Sequence, residues 1–320
     1  MGSFILRRLF QSILTILGVM VLTFLLFRVI PSDIASRYVN PALGVKGKAD
    51  WNARHKLDLP AVYNSAAGAR FWEKDFWNTQ FFWHLRESAT FQSTSYKTNQ
   101  PLREIIAEQA PYSLAITVPA LALSWMLELA IAVLVAYYRD TWIDKLGVFF
   151  AVLGMCIPFL AYMIAGQWLM FHIYPPAAWG LRYAANIYVP VTIAVVAGMG
   201  GAVRFYRTII LDEVNRDYVR TAKAKGVGLP NILFKHVLKN CMLPILTSLV
   251  LSIPFLIMGN LLLESFFGIP GLGGLLLSSV SDRDVPIVTG LTFLTAVIYA
   301  GGLLLTDILY AVFDPRIRLR

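Results

Sequence analysis

The chain has 320 residues, 57% hydrophobic and 15% charged, with a formal net charge of +9 and a mean hydropathy of +0.62. A composition so apolar and so poor in charge excludes an ordinary soluble domain and marks an integral membrane protein. The basic balance does not mark a nucleic-acid binder, because no soluble domain concentrates it into a patch; it follows membrane topology instead.

Arg7 and Arg8 precede an apolar run from Leu9 to Phe27, close to the roughly 20 residues that cross a hydrocarbon core. Arg28-Val-Ile-Pro31-Ser-Asp offers no small-residue cleavage site, so the expectation is an uncleaved first span within residues 1–30, its N-terminus inside. Residues 31–107 are polar, mixed in charge and aromatic, with no continuous apolar run long enough to cross. They read as an extracytoplasmic region with structure of its own. Trp72, Phe76 and Trp83 fall within about 40° of one another at 100° per residue. That suits either a helix resting an aromatic face at the membrane interface or a small folded core behind the same rings.

Five more spans are expected at about 111–137, 147–171, 187–203, 244–265 and 288–312, in a core unit covering 108–320. The fourth can continue as the same helix into a basic loop at about 204–243. With the first span oriented as above, the cytoplasmic segments carry Arg7, Arg8, Arg139, Lys145, eight cations from Arg204 to Lys239, and Arg316, Arg318 and Arg320. The short outer loops carry only Arg182 and Arg283. This asymmetry predicts six spans with both termini cytoplasmic.

Within the spans, Glu128 is a deep ionisable residue and hence a candidate for a polar solute route; pairing with a donor or cation on a neighbouring helix is the alternative. Gly198, Gly200 and Gly201 suit close helix packing. Cys156 and Cys241 fall in or beside spans and read as packing residues without a disulfide. The four histidines, His55, His84, His172 and His236, are too dispersed for a metal set, and no cofactor is expected. There is no Gly-x-Ser-x-Gly, no His-Glu-x-x-His and no Gly-Lys-Ser/Thr phosphate loop, so the chain reads as no enzyme, with no nucleotide site of its own.

In the basic loop, Tyr218-Val-Arg-Thr-Ala-Lys-Ala-Lys-Gly226 is rich in helix formers. Gly226 stands where a left-handed residue ends a helix, and Pro230 is expected to prevent immediate resumption. Arg216, Arg220 and Lys223 share one face by spacing, and Ala222 and Ala224 leave room for another surface. The segment either presents a short helix to a partner or is basic for topology alone.

These residues resemble the coupling loop of ABC-importer permeases. The family's Glu-Ala-Ala-x-x-x-Gly falls on Arg220, Thr221, Ala222 and Gly226, matching at Ala222 and Gly226, while the acidic first residue is absent. His236-Val-Leu-Lys-Asn240 resembles the peptide-transporter branch of that family. So do Leu57-Asp-Leu-Pro60 and Pro101-Leu-Arg-Glu-Ile105. The same holds for Glu264-Ser-Phe-Phe267-Gly-Ile-Pro270-Gly271-Leu-Gly273, Arg283-Asp-Val-Pro286 and Asp307-Ile-Leu-Tyr-Ala-Val-Phe-Asp314-Pro-Arg-Ile-Arg318. The usual glycine-containing stretch of the first loop is replaced by Arg86–Ser95.

The resemblance implies an all-α integral membrane fold, with six helices of the type I importer kind and a large extracytoplasmic loop after the first. It implies coupling to an ATPase through Arg220, Thr221, Ala222, Lys223, Ala224, Lys225 and Gly226, and an external re-entrant turn with Glu264, Phe267, Pro270, Gly271 and Gly273. The implied partners are a second homologous permease, two P-loop ATPase subunits that bind the ATP, and an extracytoplasmic substrate-binding protein. The setting would be a bacterial inner membrane and the cargo a peptide or related small solute. A secondary carrier or channel is the competing reading; carriers usually show paired repeats with broken helices and often intramembrane charges for ion coupling, and do not need a late basic loop.

Overall fold

In the computed structural model of the chain, residues 2–29, 33–64, 76–173, 185–258 and 260–313 are described, and among them the regular structure is helical. Helix α1, Gly2–Phe24, runs into a π turn, Leu25–Val29. The region between the first two spans, called outer after the expected topology, carries α2, Ala35–Tyr38, α3, Gly44–Arg54, and α4, Gln80–Thr90. The core follows with α5, Leu102–Tyr137, α6, Trp142–Cys156, α7, Phe159–Ile173, and α8, Ala185–Val214. The inner segment holds α9, Asp217–Ala224, and α10, Leu229–Asn231, and then passes through a π stretch into α11, Leu238–Met258. The chain continues with α12, Leu261–Phe267, α13, Leu272–Asp282, and α14, Val285–Phe313.

Among the described residues five stretches are long and apolar enough to cross a bilayer, in α1 with its π turn, α5, α8, α14 and the π stretch with α11. Two further apolar pairs are bent, α6 with α7 by 96° and α12 with α13 by 86°. The straight span expected at 147–171 is therefore corrected to a broken one. Pro158 supplies no N–H and drives Ile157 out of the helical region, to φ −82 and ψ 121. The span expected at 244–265 also changes: its last residues belong to α12, which restarts where the Asn260 side chain accepts Leu263 N–H at 3.2 Å. The fourth span continues as one helix to Val214, well into the basic stretch.

Helix α5 is the axis of the core. Its 36 residues span about 54 Å at 1.5 Å per residue, beyond the ~30 Å hydrocarbon thickness. Its first turns pack Leu102 and Ile105 against Leu272, Ile287 and Leu291. A side chain at Gly290 would collide with Leu102, so α14 approaches α5 at a bare backbone. Helix α8 packs along α5 and α6, while α11 packs against α5 and α14, and α14 against α1. Exposed side chains such as Phe149, Phe150 and Trp168 on α6 and α7 form apolar surface suited to lipid or to a partner.

In the outer region the shared aromatic helix is corrected, and a small cluster forms from other residues, Ile34, Tyr38, Trp51, Tyr96 and Val285. Phe76 lies in a turn before α4, whose first turn is capped by Thr79 accepting Phe82 N–H, so Phe76 and Trp83 do not share a helical face; Trp72 lies outside the described residues. Lys56 Nζ covers the Trp83 ring at 3.1 Å. Tyr38 stacks on Trp51, with Tyr96 set edge-on to both. His84 is buried against α1, donating from Nε2 to Met20 O at 3.2 Å. Its desolvation, with Arg28 nearby, holds its pKa down to about 4.

Candidate functional site

Three places gather the residues singled out above: the short helix α9, the turn between α12 and α13, and a cavity walled by α5, α8 and α11; the first two keep the names inner helix and outer turn from the topology expected of the sequence. The inner helix, α9, rests on Val219, which is fully buried in one cluster with Ile210, Ile232, Leu233 and Val237. Arg220, Thr221, Lys223, Ala224 and Lys225 are exposed, and Ala222 is half-buried. The helix ends in a Schellman arrangement: Gly226 N–H donates to Lys223 O at 3.0 Å and Val227 N–H to Ala222 O at 3.1 Å. Gly226 takes φ +75, and Val227 returns to the cluster that holds Val219. Pro230 does not prevent resumption. It sits in the first turn of α10, where a missing N–H leaves no hydrogen bond unmade. Arg216 is the N-cap rather than a member of the helical face.

Sequence reasoning missed the clamp behind this helix. Arg207 of α8 donates from Nε and Nη2 to the two carboxylate oxygens of Asp144 at 2.8 Å each, and Asp144 also accepts Asp140 N–H at 3.0 Å. Asp144 is buried, so the first turn of α6 is bonded to the helix that leads into α9. Arg8 pairs with Asp307 at 3.1 Å, tying α1 to α14.

The outer turn is built around Glu264, which is 1% exposed. Its carboxylate accepts Gly274 N–H at 3.0 Å and lies in hydrogen-bond reach of Gly273 N–H and the Ser113 hydroxyl. It thereby caps the first turn of α13, where unpaired N–H groups favour negative charge. Ser113 Oγ of α5 accepts Leu272 N–H at 2.8 Å, which fixes the turn to the core axis. A side chain at Gly271 would collide with the Glu264 carboxylate, and Gly268 closes α12 at φ +63. Phe267 is buried beside Leu263 and Ile269, while Pro270 is exposed at the tip.

Asp284 lies just beyond α13. It accepts Tyr96 N–H at 3.0 Å and the Ser95 hydroxyl, while Asp282 pairs with Arg37 and Lys97. The outer region is thus docked on the outer turn by two acids whose role sequence spacing does not reveal. The final motif from Asp314 to Arg318 lies outside the described residues.

The cavity has a volume of about 730 Å³ and is lined by α5, α8 and α11 together with Asn260 and Leu261. Glu128 is 7% exposed and reaches its wall. The three glycines do not act alike. Gly200 lets α8 approach Ala151 and Met155 of α6, Gly198 faces the Glu128 carboxylate, and Gly201 packs against nothing and leaves the cavity open. Cys156 is exposed and Cys241 buried, neither in a disulfide, and Cys241 Sγ donates to Ile209 O at 3.8 Å. Among the described residues no group of three or more His, Cys, Asp or Glu side chains is placed to hold a metal.

The profile of the family described as "Binding-protein-dependent transport system inner membrane component" matches residues 128–319. Over 99% of each chain, the sequence is 29% identical to the oligopeptide transport system permease protein AppB of Bacillus subtilis. It is 28% identical to that organism's dipeptide transport system permease protein DppB, over 100% of this chain and 99% of the relative. It is 30% identical to the glutathione transport system permease protein GsiC of Salmonella paratyphi A, over 99% of each. The matched region takes in the inner helix, the outer turn and the cavity lining from Glu128 onward, and the chain belongs to the family of binding-protein-dependent transport system inner membrane components.

Proposed function

We propose that this permease forms half of the pathway of an ATP-driven importer for short peptides, in a bacterial inner membrane with both termini cytoplasmic. A second homologous permease completes the pathway, two P-loop ATPase subunits hydrolyse the ATP, and a binding protein delivers cargo at the outer face. The observation that carries this reading is the geometry of α9. A short helix with exposed Arg220, Lys223 and Ala224 is held rigid by Val219 beneath it and by the Gly226 turn at its end. A push on this helix passes into α8 and, through Arg207 and Asp144, into α6. Full-length likeness to dipeptide and oligopeptide permeases supports the cargo class.

A cysteine at Ala224, in a Cys156→Ser background, tests the contact. The reading predicts a specific cross-link to a co-expressed ATPase subunit that changes with ATP. No cross-link to that subunit, with the transporter assembled, contradicts it.

A further inference from the structure

Glu128 is a core carboxylate without a counter-charge among the described residues. Among the described residues no cation or hydrogen-bond donor pairs with Glu128, although the residue is 7% exposed. Burying a charged carboxylate alone is unfavourable by several kcal/mol, and Glu128 instead lies on the wall of an open cavity, where an entering positive charge would meet it.

The wall beside it is mixed: the Trp125 indole N–H is buried without a partner among the described residues, while Ser248 and Ser252 present hydroxyl oxygens. Ser248 Oγ donates its proton to Ile245 O at 2.8 Å, and Ser252 Oγ donates to Ser248 O at 2.9 Å. Tyr206 and Ser248 hydroxyls pair at 3.0 Å. With the Ser248 proton committed to the backbone, Tyr206 is the donor in that pair, and the oxygens are left with lone pairs toward the cavity. The rings of Trp125 and Phe205 complete the wall, and aromatic faces favour cations. A lone carboxylate with no second acidic, His or Cys ligand is a poor metal site. It does suit a group that brings three N–H donors and one positive charge.

We infer that Glu128 receives a primary ammonium group of the translocated solute as it passes between α5, α8 and α11. This rests on the peptide-importer reading, in which that group is the free amino terminus. Glu128 is then a solute-contacting residue of the pathway, distinct from the delivering protein's own site.

The test uses the assembled transporter in proteoliposomes with its binding protein and radiolabelled L-alanyl-L-alanine. Glu128→Gln should lower the peptide carried per ATP hydrolysed about tenfold, the worth of one charge-assisted hydrogen bond. Glu128→Asp should retain most of it, and ATPase stimulation by the loaded binding protein should persist in both. Uptake by Glu128→Gln within twofold of the wild type overturns the inference and leaves the importer reading intact. So does equal loss in Glu128→Asp and Glu128→Gln, or loss of ATPase stimulation in step with uptake. A wild-type assembly that hydrolyses ATP but carries no dipeptide fails the peptide reading itself, and the inference with it.

Discussion

Asp144 and Arg207 lie 63 positions apart and meet in a two-point ion pair, both contacts 2.8 Å, that joins the start of α6 to α8. Asp144 side-chain exposure is 8% and that of Arg207 21%, so removing either leaves a mostly buried charge unmatched. Asp144→Asn is expected to destabilise the chain by about 3 kcal/mol. Thermal unfolding in detergent checks this. A double-mutant cycle with Arg207→Gln should show the two losses to be strongly non-additive.

Gly226 supports a second prediction. At φ +75 it occupies space with nothing within 4 Å, so a side chain there meets strain and no clash. Gly226→Ala should be tolerated at a cost of about 1 kcal/mol. Gly226→Pro cannot reach that φ and loses the N–H that bonds Lys223 O. ATP hydrolysis continuing without transport is the expected phenotype of the proline variant, while insertion and assembly stay normal. Transport at the wild-type rate by that variant counts against the coupling role of α9.

The outer turn tolerates still less. A methyl group at Gly271 would collide with the Glu264 carboxylate and with Ser113. Gly271→Ala should therefore destabilise the turn by about 2 kcal/mol, as overpacking does, and leave the outer closure leaky. Solute leak from proteoliposomes without ATP, measured beside the unfolding temperature, reads both effects.

Gly201 makes the opposite case. A side chain there enters open space on the cavity wall. Gly201→Leu should keep or slightly raise thermal stability, because Leu is the better helix former by up to about 1 kcal/mol, while uptake falls several-fold. A fall in both together would mean that the position packs rather than lines the route.

His84 gives the pH dependence. Its folded-state pKa is lowered from 6.5 to about 4 by burial and by Arg28. The unfolded chain therefore binds the extra proton between those values and the folded chain does not. Stability is fully present above pH 6.5 and falls as pH drops towards 4, by at most about 3 kcal/mol. His84→Gln places a neutral amide nitrogen near Met20 O and should flatten that part of the profile. An unchanged slope would show that His84 is not the titrating group.

Much of this was legible in sequence because its causes are local. Apolar run length marks the spans, helix formers followed by Gly226 mark the end of α9, and the run from Glu264 to Gly273 marks the outer turn. The break at Pro158 was readable in principle, since a proline within the run expected at 147–171 restricts the residue before it. What escaped depends on pairs far apart in the chain. Nothing near Asp144 announces Arg207, nothing near Ser113 announces the Leu272 N–H, 159 positions away, and Asp284 reads as a loop acid until Tyr96 is placed on it. The aromatic helix failed because angular spacing assumed one continuous helix, whereas Thr79 starts α4 after Phe76. The glycines of α8 differ for the same tertiary reason, since only the neighbouring helix decides which of them packs.

The central claim is that this chain is moved by ATPase subunits acting on α9, and affinity purification in mild detergent tests it most directly. The chain should bring with it a P-loop ATPase and a second permease, identified by mass spectrometry, and the product should show vanadate-sensitive hydrolysis stimulated by a loaded binding protein. A chain that purifies alone after gentle extraction and chemical cross-linking, with no hydrolysis, contradicts the account and returns the question to a carrier driven by other means.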